Sequence, residues 1–190
     1  MAVKKGTEYA TIDATLVTVQ TYDVGADEII FDTANQVQVT IATEDQDKIP
    51  LIVKGRLIAQ KPGKKTVTGN DIVLTDNVMN YQLVQILQGG TIKYDQTDPT
   101  KIIGYSAPVV GSDEKGRRFI LRIYSAIYNE GGIVTGYERT TYYNCEGDPV
   151  ALNVEDGTFR APEYTIHSMP SNGESPLDID IVAELPAVSA

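Results

Sequence analysis

The sequence predicts a mainly β protein, an antiparallel β-sandwich or β-barrel with one flanking α-helix. Three observations predict it. Residues 36–42, Gln-Val-Gln-Val-Thr-Ile-Ala, alternate polar and apolar side chains without a fault, the period of a half-buried strand. Two long amphipathic runs, 119–128 and 133–145, flank the turn Asn129-Glu130-Gly131-Gly132. Only one segment, about residues 77–88, carries apolar residues at helical spacing. With 190 residues and 42% apolar content, the chain reads as a single domain over 1–190 with a core of ordinary size.

Taken in order, residues 36–42 form the first expected strand, and the β-branched run from Ile49 to Ala59 its antiparallel partner. Pro50, lacking an N–H, puts the start of that second run at a sheet edge. The polar stretch Glu44-Asp45-Gln46-Asp47-Lys48 between them reads as a protruding loop, and Lys61-Pro62-Gly63-Lys64-Lys65 as a basic turn. A short strand is expected over 71–75. The helix follows, capped by Asp76 or Asn77, with Met79, Leu83, Ile86 and Leu87 on one face and Gly89-Gly90 as its left-handed stop. In the run 119–128, Phe119, Leu121, Ile123 and Ile127 share one side, and Arg122, Tyr124 and Tyr128 the other. Shorter strands are expected near Phe159, over 164–168 and over 179–184. Two long strands bearing tyrosines, including Tyr137, Tyr142 and Tyr143, exceed what a small sandwich core needs, and aromatics are enriched at interfaces.

The formal charge of −10 is unevenly spread: residues 1–122 hold 14 Lys/Arg against 15 Asp/Glu, while 123–190 hold two against 11. Such an acidic portion repels phosphate and argues against ordinary nucleic-acid binding. It reads as a solvated face or as a surface that must not hold DNA. The basic clusters Lys61/Lys64/Lys65 and Lys115/Arg117/Arg118 lie in turns without the interleaved aromatics of a single-strand platform. They are polar turns, or the complement of the acidic portion on another copy.

Catalytic chemistry finds few candidates. The single histidine, His167, and single cysteine, Cys145, cannot build the usual nitrogen and sulfur metal sites from one chain. His167 is expected to be a structural, hydrogen-bonded or solvent-facing residue. Cys145 sits in an acidic setting that raises a thiol pKa, and is expected to be inert. Asp45/Asp47 lack the glycine and distal glutamate of a calcium loop, and Asp178/Asp180 share one face of an alternating run, where they are expected to be solvated. No phosphate-cradling glycine loop or nucleophile elbow is present. One cysteine forms no internal disulfide, no stretch approaches the roughly 20 apolar residues of a membrane span, and no apolar region follows Lys4-Lys5, so no secretory leader is expected. Catalytic residues, metal ligands and cofactor sites are therefore assigned to none.

Two stretches resemble a known family in order and spacing. The first is Leu74-Thr75-Asp76-Asn77-Val78 running into Leu83-Val84-Gln85-Ile86-Leu87-Gln88-Gly89-Gly90. The second is Tyr142-Tyr143-Asn144-Cys145-Glu146-Gly147, then Phe159, Pro162-Glu163-Tyr164 and Pro170 to Pro176, ending near Leu185-Pro186. Together, over most of residues 70–186, they resemble the major tail tube proteins of siphophage-type bacteriophages.

The resemblance implies a non-enzymatic virion subunit, made in the host cytoplasm and placed in the tail. It implies stacked hexameric rings in which long strands join an inter-subunit barrel lining an acidic lumen. Through that lumen double-stranded DNA passes without tight binding. The partners implied are other copies of the chain, in the same ring and the next, and other tail proteins at the tube ends, with no membrane. Within that scheme Gln36, Gln38 and Thr40 are the candidate lumen-facing row, with 36–42 paired to 49–59. Glu44, Asp45 and Asp47, or Lys61, Lys64 and Lys65, are the candidate ring-to-ring contacts. The first residues and those after Leu185 are candidate arms. An inner tube subunit of a contractile tail, a phage-like bacteriocin or a secretion system shares the scheme. A monomeric β-sandwich binding module using Tyr124, Tyr128 and Tyr137 is the reading from a different class.

Overall fold

The computed structural model describes residues 6–26, 28–171 and 173–187. It is mainly antiparallel β, as predicted: β1 Ala10–Thr21, β2 Ile29–Phe31, β3 Ala34–Gln46, β4 Ile49–Val53, β5 Arg56–Lys61, β6 Lys64–Asp76, α1 Tyr81–Gln88, β7 Thr91–Tyr94, β8 Ile102–Ser106, β9 Phe119–Tyr128, β10 Val134–Gly147, β11 Glu163–Ser168 and β12 Asp178–Val182. Eight strands form one sheet in the order β2-β1-β9-β10-β11-β6-β3, with β12 paired to β10 beside β11.

Strand alternation decides which side of this sheet is dry. Val17 and Val19 of β1, Phe119, Leu121 and Ile123 of β9, and Tyr142 and Cys145 of β10 join one core. Ile72 and Leu74 of β6 and Tyr164 and Ile166 of β11 reach the same core. These inner faces meet in that one cluster, as the two layers of a sandwich. Each fully buried large apolar side chain contributes about 1.5–3 kcal/mol of transfer free energy. β1, next to the end strand β2, comes into contact with the other end strand, β3, without joining it as a hydrogen-bonded neighbour.

The helix packs Leu83, Val84, Ile86 and Leu87 into that core. It begins later than predicted, and neither Asp76 nor Asn77 caps it. Asp76 is buried at the end of β6, and the Asn77 side chain donates to the Thr33 carbonyl. Asn80 takes the role, its Oδ1 accepting the Gln82 and Leu83 N–H groups at 2.9 and 3.2 Å. The helix stops at the predicted glycines but not in the predicted αL conformation: Gly89 stands at φ 81° and ψ −159°, and Gly90 at φ 91°, where a side chain is strained.

Several strand expectations are corrected. Residues 49–59 do not pair with 36–42; Lys54-Gly55, both at positive φ, turn the run back on itself as the β4–β5 hairpin. β3 pairs with β6 instead, Gln36 opposite Thr75 through Gln46 opposite Lys64. Glu44 and Asp45 are therefore strand residues, and the loop is cut to Asp47-Lys48. No strand forms near Phe159, which is 97% exposed, and the last strand ends at Val182. β1, a twelve-residue strand paired with β2 and β9, was not predicted. Of the candidate arms, residues 1–5 and 188–190 lie outside the described residues.

Candidate assembly surface

β3 and β6 outgrow the sandwich. From Asn70 to Thr75, β6 is flanked by β3 on one edge and β11 on the other; from Lys64 to Gly69 it keeps only β3. Gly69 marks the departure. A Cβ there would strike the Ser168 carbonyl oxygen, so only glycine allows β11 to end against this strand. The register slips at the same level, between Ala42 and Thr43. Beyond it, residues 43–68 form an arm, the β3–β6 ribbon with the β4–β5 hairpin at its tip, in which every residue is exposed.

The arm's composition contradicts that exposure. Ile49, Leu51, Ile52, Val53, Leu57, Ile58 and Val67 are each at least 45% exposed. Six Lys/Arg against three acids give residues 43–68 a charge of +3, which leaves −13 on the rest of a chain whose total is −10. The two candidate contact segments prove to be one place. Asp45 and Asp47 lie beside Gly63, Lys64 and Lys65 around an open groove at the elbow where the hairpin leaves the ribbon, and Lys65 Nζ stands 3.9 Å from Asp45 Oδ1. Lys61 closes β5 just before it.

Gln36, Gln38 and Thr40 are exposed on the outer face of the second layer, as their alternation implied. The register extends their row across the sheet in three rungs: Gln36–Thr75–Glu163, Gln38–Val73–Thr165 and Thr40–Asp71–His167. His167 has both ring nitrogens occupied, Nδ1 at 2.7 Å from Asp71 Oδ1 and Nε2 at 3.2 Å from Asp148 Oδ2. Hydrogen bonding to Asp71, then to Asp148, raises its pKa above the ordinary histidine value. It is a hydrogen-bonded surface histidine.

Other titratable candidates are engaged within the chain. Asp178 and Asp180 are exposed, as expected, and each also has a partner: Asp180 holds Arg139 at 2.8 Å and Asp178 accepts the Tyr143 hydroxyl at 3.0 Å. Arg117 binds Asp23 at 3.1 Å, and Arg118 binds Glu146 at 2.9 Å and Asn144 at 2.7 Å, so both guanidiniums of that cluster already have partners. Arg122 pairs with Glu28 at 2.9 Å. Cys145 is fully buried, and burial rather than its acidic neighbours pushes the thiol up to about 12.

Sequence reasoning missed the arm's reach and the irregular segment 149–162, where Leu152, Val154 and Phe159 are exposed. The Lys54-Gly55 break between two β-branched runs is the hairpin signal that pointed to the arm tip.

No family model and no curated protein matches this sequence. Among solved structures, the chain is similar to one in the cryo-EM structure of the anti-feeding prophage (AFP) baseplate, 6-fold symmetrised, at 10% identity and a TM-score of 0.34, with 96% of this chain and 98% of that chain covered.

Proposed function

We propose that this chain is a non-enzymatic tail tube subunit, which polymerises as stacked, six-membered rings around a conduit for phage DNA. The observation that carries the reading is the arm: an apolar, basic β-ribbon leaving an acidic body, with none of the described residues covering it. Exposed apolar area on this scale marks an interface, and bare strand edges are templates for pairing with another chain. A ring of copies satisfies both. The rungs carrying Gln36, Gln38 and Thr40 supply a polar row, and Glu163 and Asp71 add negative charge that repels phosphate. This is what a wall sliding past DNA requires. The subunit is made in the host cytoplasm and resides in the virion tail, with other tail proteins at the tube ends.

Purified protein at high concentration, or seeded with an initiator complex, is expected to give rings or tubes by negative-stain microscopy. A strictly monomeric chain under all such conditions overturns the reading. The inner tube of a contractile tail, a bacteriocin or a secretion system uses the same geometry; a sheath gene beside this one selects it. The monomeric binding module loses support from Tyr124, which is only 4% exposed and offers no platform.

A further inference from the structure

The arm is not the only uncovered apolar segment. Residues 149–162 cross from β10 to β11 without regular structure, and from Ala151 to Ala161 every residue is exposed. Leu152, Val154 and Phe159 are each more than half exposed. Glu155 and Asp156 stand between these apolar residues, and among the described residues neither carboxylate takes part in an ion pair. The segment is anchored on one half of the layer formed by β3, β6 and β11. The Asp148 N–H donates to the Thr165 carbonyl, opposite Val73, and the Pro162 carbonyl accepts the Asp76 N–H, both at 3.0 Å. The arm leaves the other half, at Gly69, and continues away from Asp76. Gly69 and Asp76 are about 23 Å apart along the strand. Two uncovered segments thus stand toward opposite ends of one layer.

We propose that segment 149–162 of one copy is the docking surface for the arm tip of another, a head-to-tail contact. The inference rests on the assembly reading above and names the surface that receives the arm. Position supports it: an arm directed away from its own segment meets that of a different copy, and a contact between unlike surfaces repeats from copy to copy. Composition supports it too. Alternation in the β4–β5 register puts Ile49, Leu51 and Val53 on one face of the hairpin together with Arg56 and Lys61. That face offers apolar side chains flanked by cations, and the segment offers apolar side chains flanking acids. Residues 149–163 hold Glu155, Asp156 and Glu163 against Arg160 alone, while the arm carries +3, so the two surfaces are complementary in charge. Other exposed apolar sites match the arm less well. Residues 107–118 expose Val109 and Val110, but Lys115, Arg117 and Arg118 outnumber Asp113 and Glu114 there, so a basic arm gains no attraction. β12 exposes Ile179 and Ile181, but its two carboxylates already hold Arg139 and Tyr143. Docking covers Phe159, which the chain alone leaves almost wholly in water.

A charge swap in the full chain tests the contact. One variant carries Glu155→Lys with Asp156→Lys, a second Arg56→Glu with Lys61→Glu, and a third all four substitutions. All four positions are exposed, so the core is left intact, and an unchanged melting transition of the monomer checks this. Sedimentation velocity and negative-stain microscopy over a concentration series read assembly. Each of the first two variants is expected to need about tenfold more protein than the native chain, or to stay monomeric. The third, in which the charges are exchanged, is expected to recover native assembly. If the Glu155 and Asp156 variant assembles like the native chain, or the third variant recovers nothing, the docking surface is overturned and the proposed function stands. If the native chain itself never assembles, both are overturned.

Discussion

Strand β6 belongs to two environments, and its halves follow opposite rules. From Gly69 to Asp76 five of eight residues are buried, Ile72 and Leu74 among them. From Lys64 to Thr68 none is, although Val67 is as apolar as anything beyond the boundary. The backbone is equally regular in both halves and pairs with β3 throughout. What changes is the cover: β11 and the core end at Gly69, and the ribbon goes on alone. A two-stranded ribbon is marginal in water by itself, so the body is organised by its own core while the arm is organised for something else. Selection against exposed apolar edges makes such an arm costly to keep without a partner.

The sharpest way to break this contrast is to remove the arm tip. Replacing residues 47–63 by Asn-Gly joins β3 to β6 through a tight hairpin turn. Negative-stain microscopy and sedimentation velocity should show complete loss of rings and tubes, while the melting transition of the monomer stays where it was. A truncated chain that still polymerises removes the arm from the assembly, and one that unfolds makes the arm part of the body.

Point substitutions sharpen the same boundary at smaller scale. Ile72→Ala removes a fully buried side chain and is expected to cost about 2–5 kcal/mol in urea unfolding of the monomer. Ile52→Ala, at 60% exposure on the arm tip, should stay within about 0.5 kcal/mol. Equal costs would mean that the arm packs on its own sandwich.

The body was legible in the sequence and the arm was not, for one physical reason. Burial leaves a pattern only where one face is dry, as in β11, whose alternation announced a strand over 164–168. In the arm both faces await cover, so alternation carries no orientation. The residues 49–59 looked like one strand when Lys54-Gly55 folds them into two. β1 went unread because its burial runs through four consecutive residues, Leu16–Val17–Thr18–Val19, with no polar beat to set the period. The polar row Gln36, Gln38 and Thr40 was readable as a face, while its neighbours Thr75 and Glu163 required the register.

Within the body, the helix offers an intermediate test. Asn80→Ala leaves the Gln82 and Leu83 N–H groups without their acceptor and should cost about 0.5–2 kcal/mol by thermal or urea unfolding. Asn77→Ala should cost less, since that side chain reaches only the Thr33 carbonyl from an exposed position. A reversal of this order would return the cap to the position first predicted.

The smallest effect lies at the root of the arm and turns on pH. Asp71 sits two residues inside Gly69, and His167 ties it to Asp148 at the start of the irregular segment 149–162. Because two carboxylates meet the two ring nitrogens, the protonated imidazole is favoured and its pKa is raised in the folded chain. A group whose folded pKa is raised stabilises fully below its unfolded value, about 6.5, and loses that contribution as pH rises through the higher folded value. His167→Gln keeps a hydrogen-bonding amide but no charge. It should therefore unfold more easily than the native chain between about pH 5 and 6.5, and equally easily well above the folded pKa. About a third of the side chain is open to water, which screens the pair, so the difference should stay below about 1 kcal/mol. A gap that widened with rising pH would show that the neutral ring is the native form, and that the root of the arm is held by the sheet register alone.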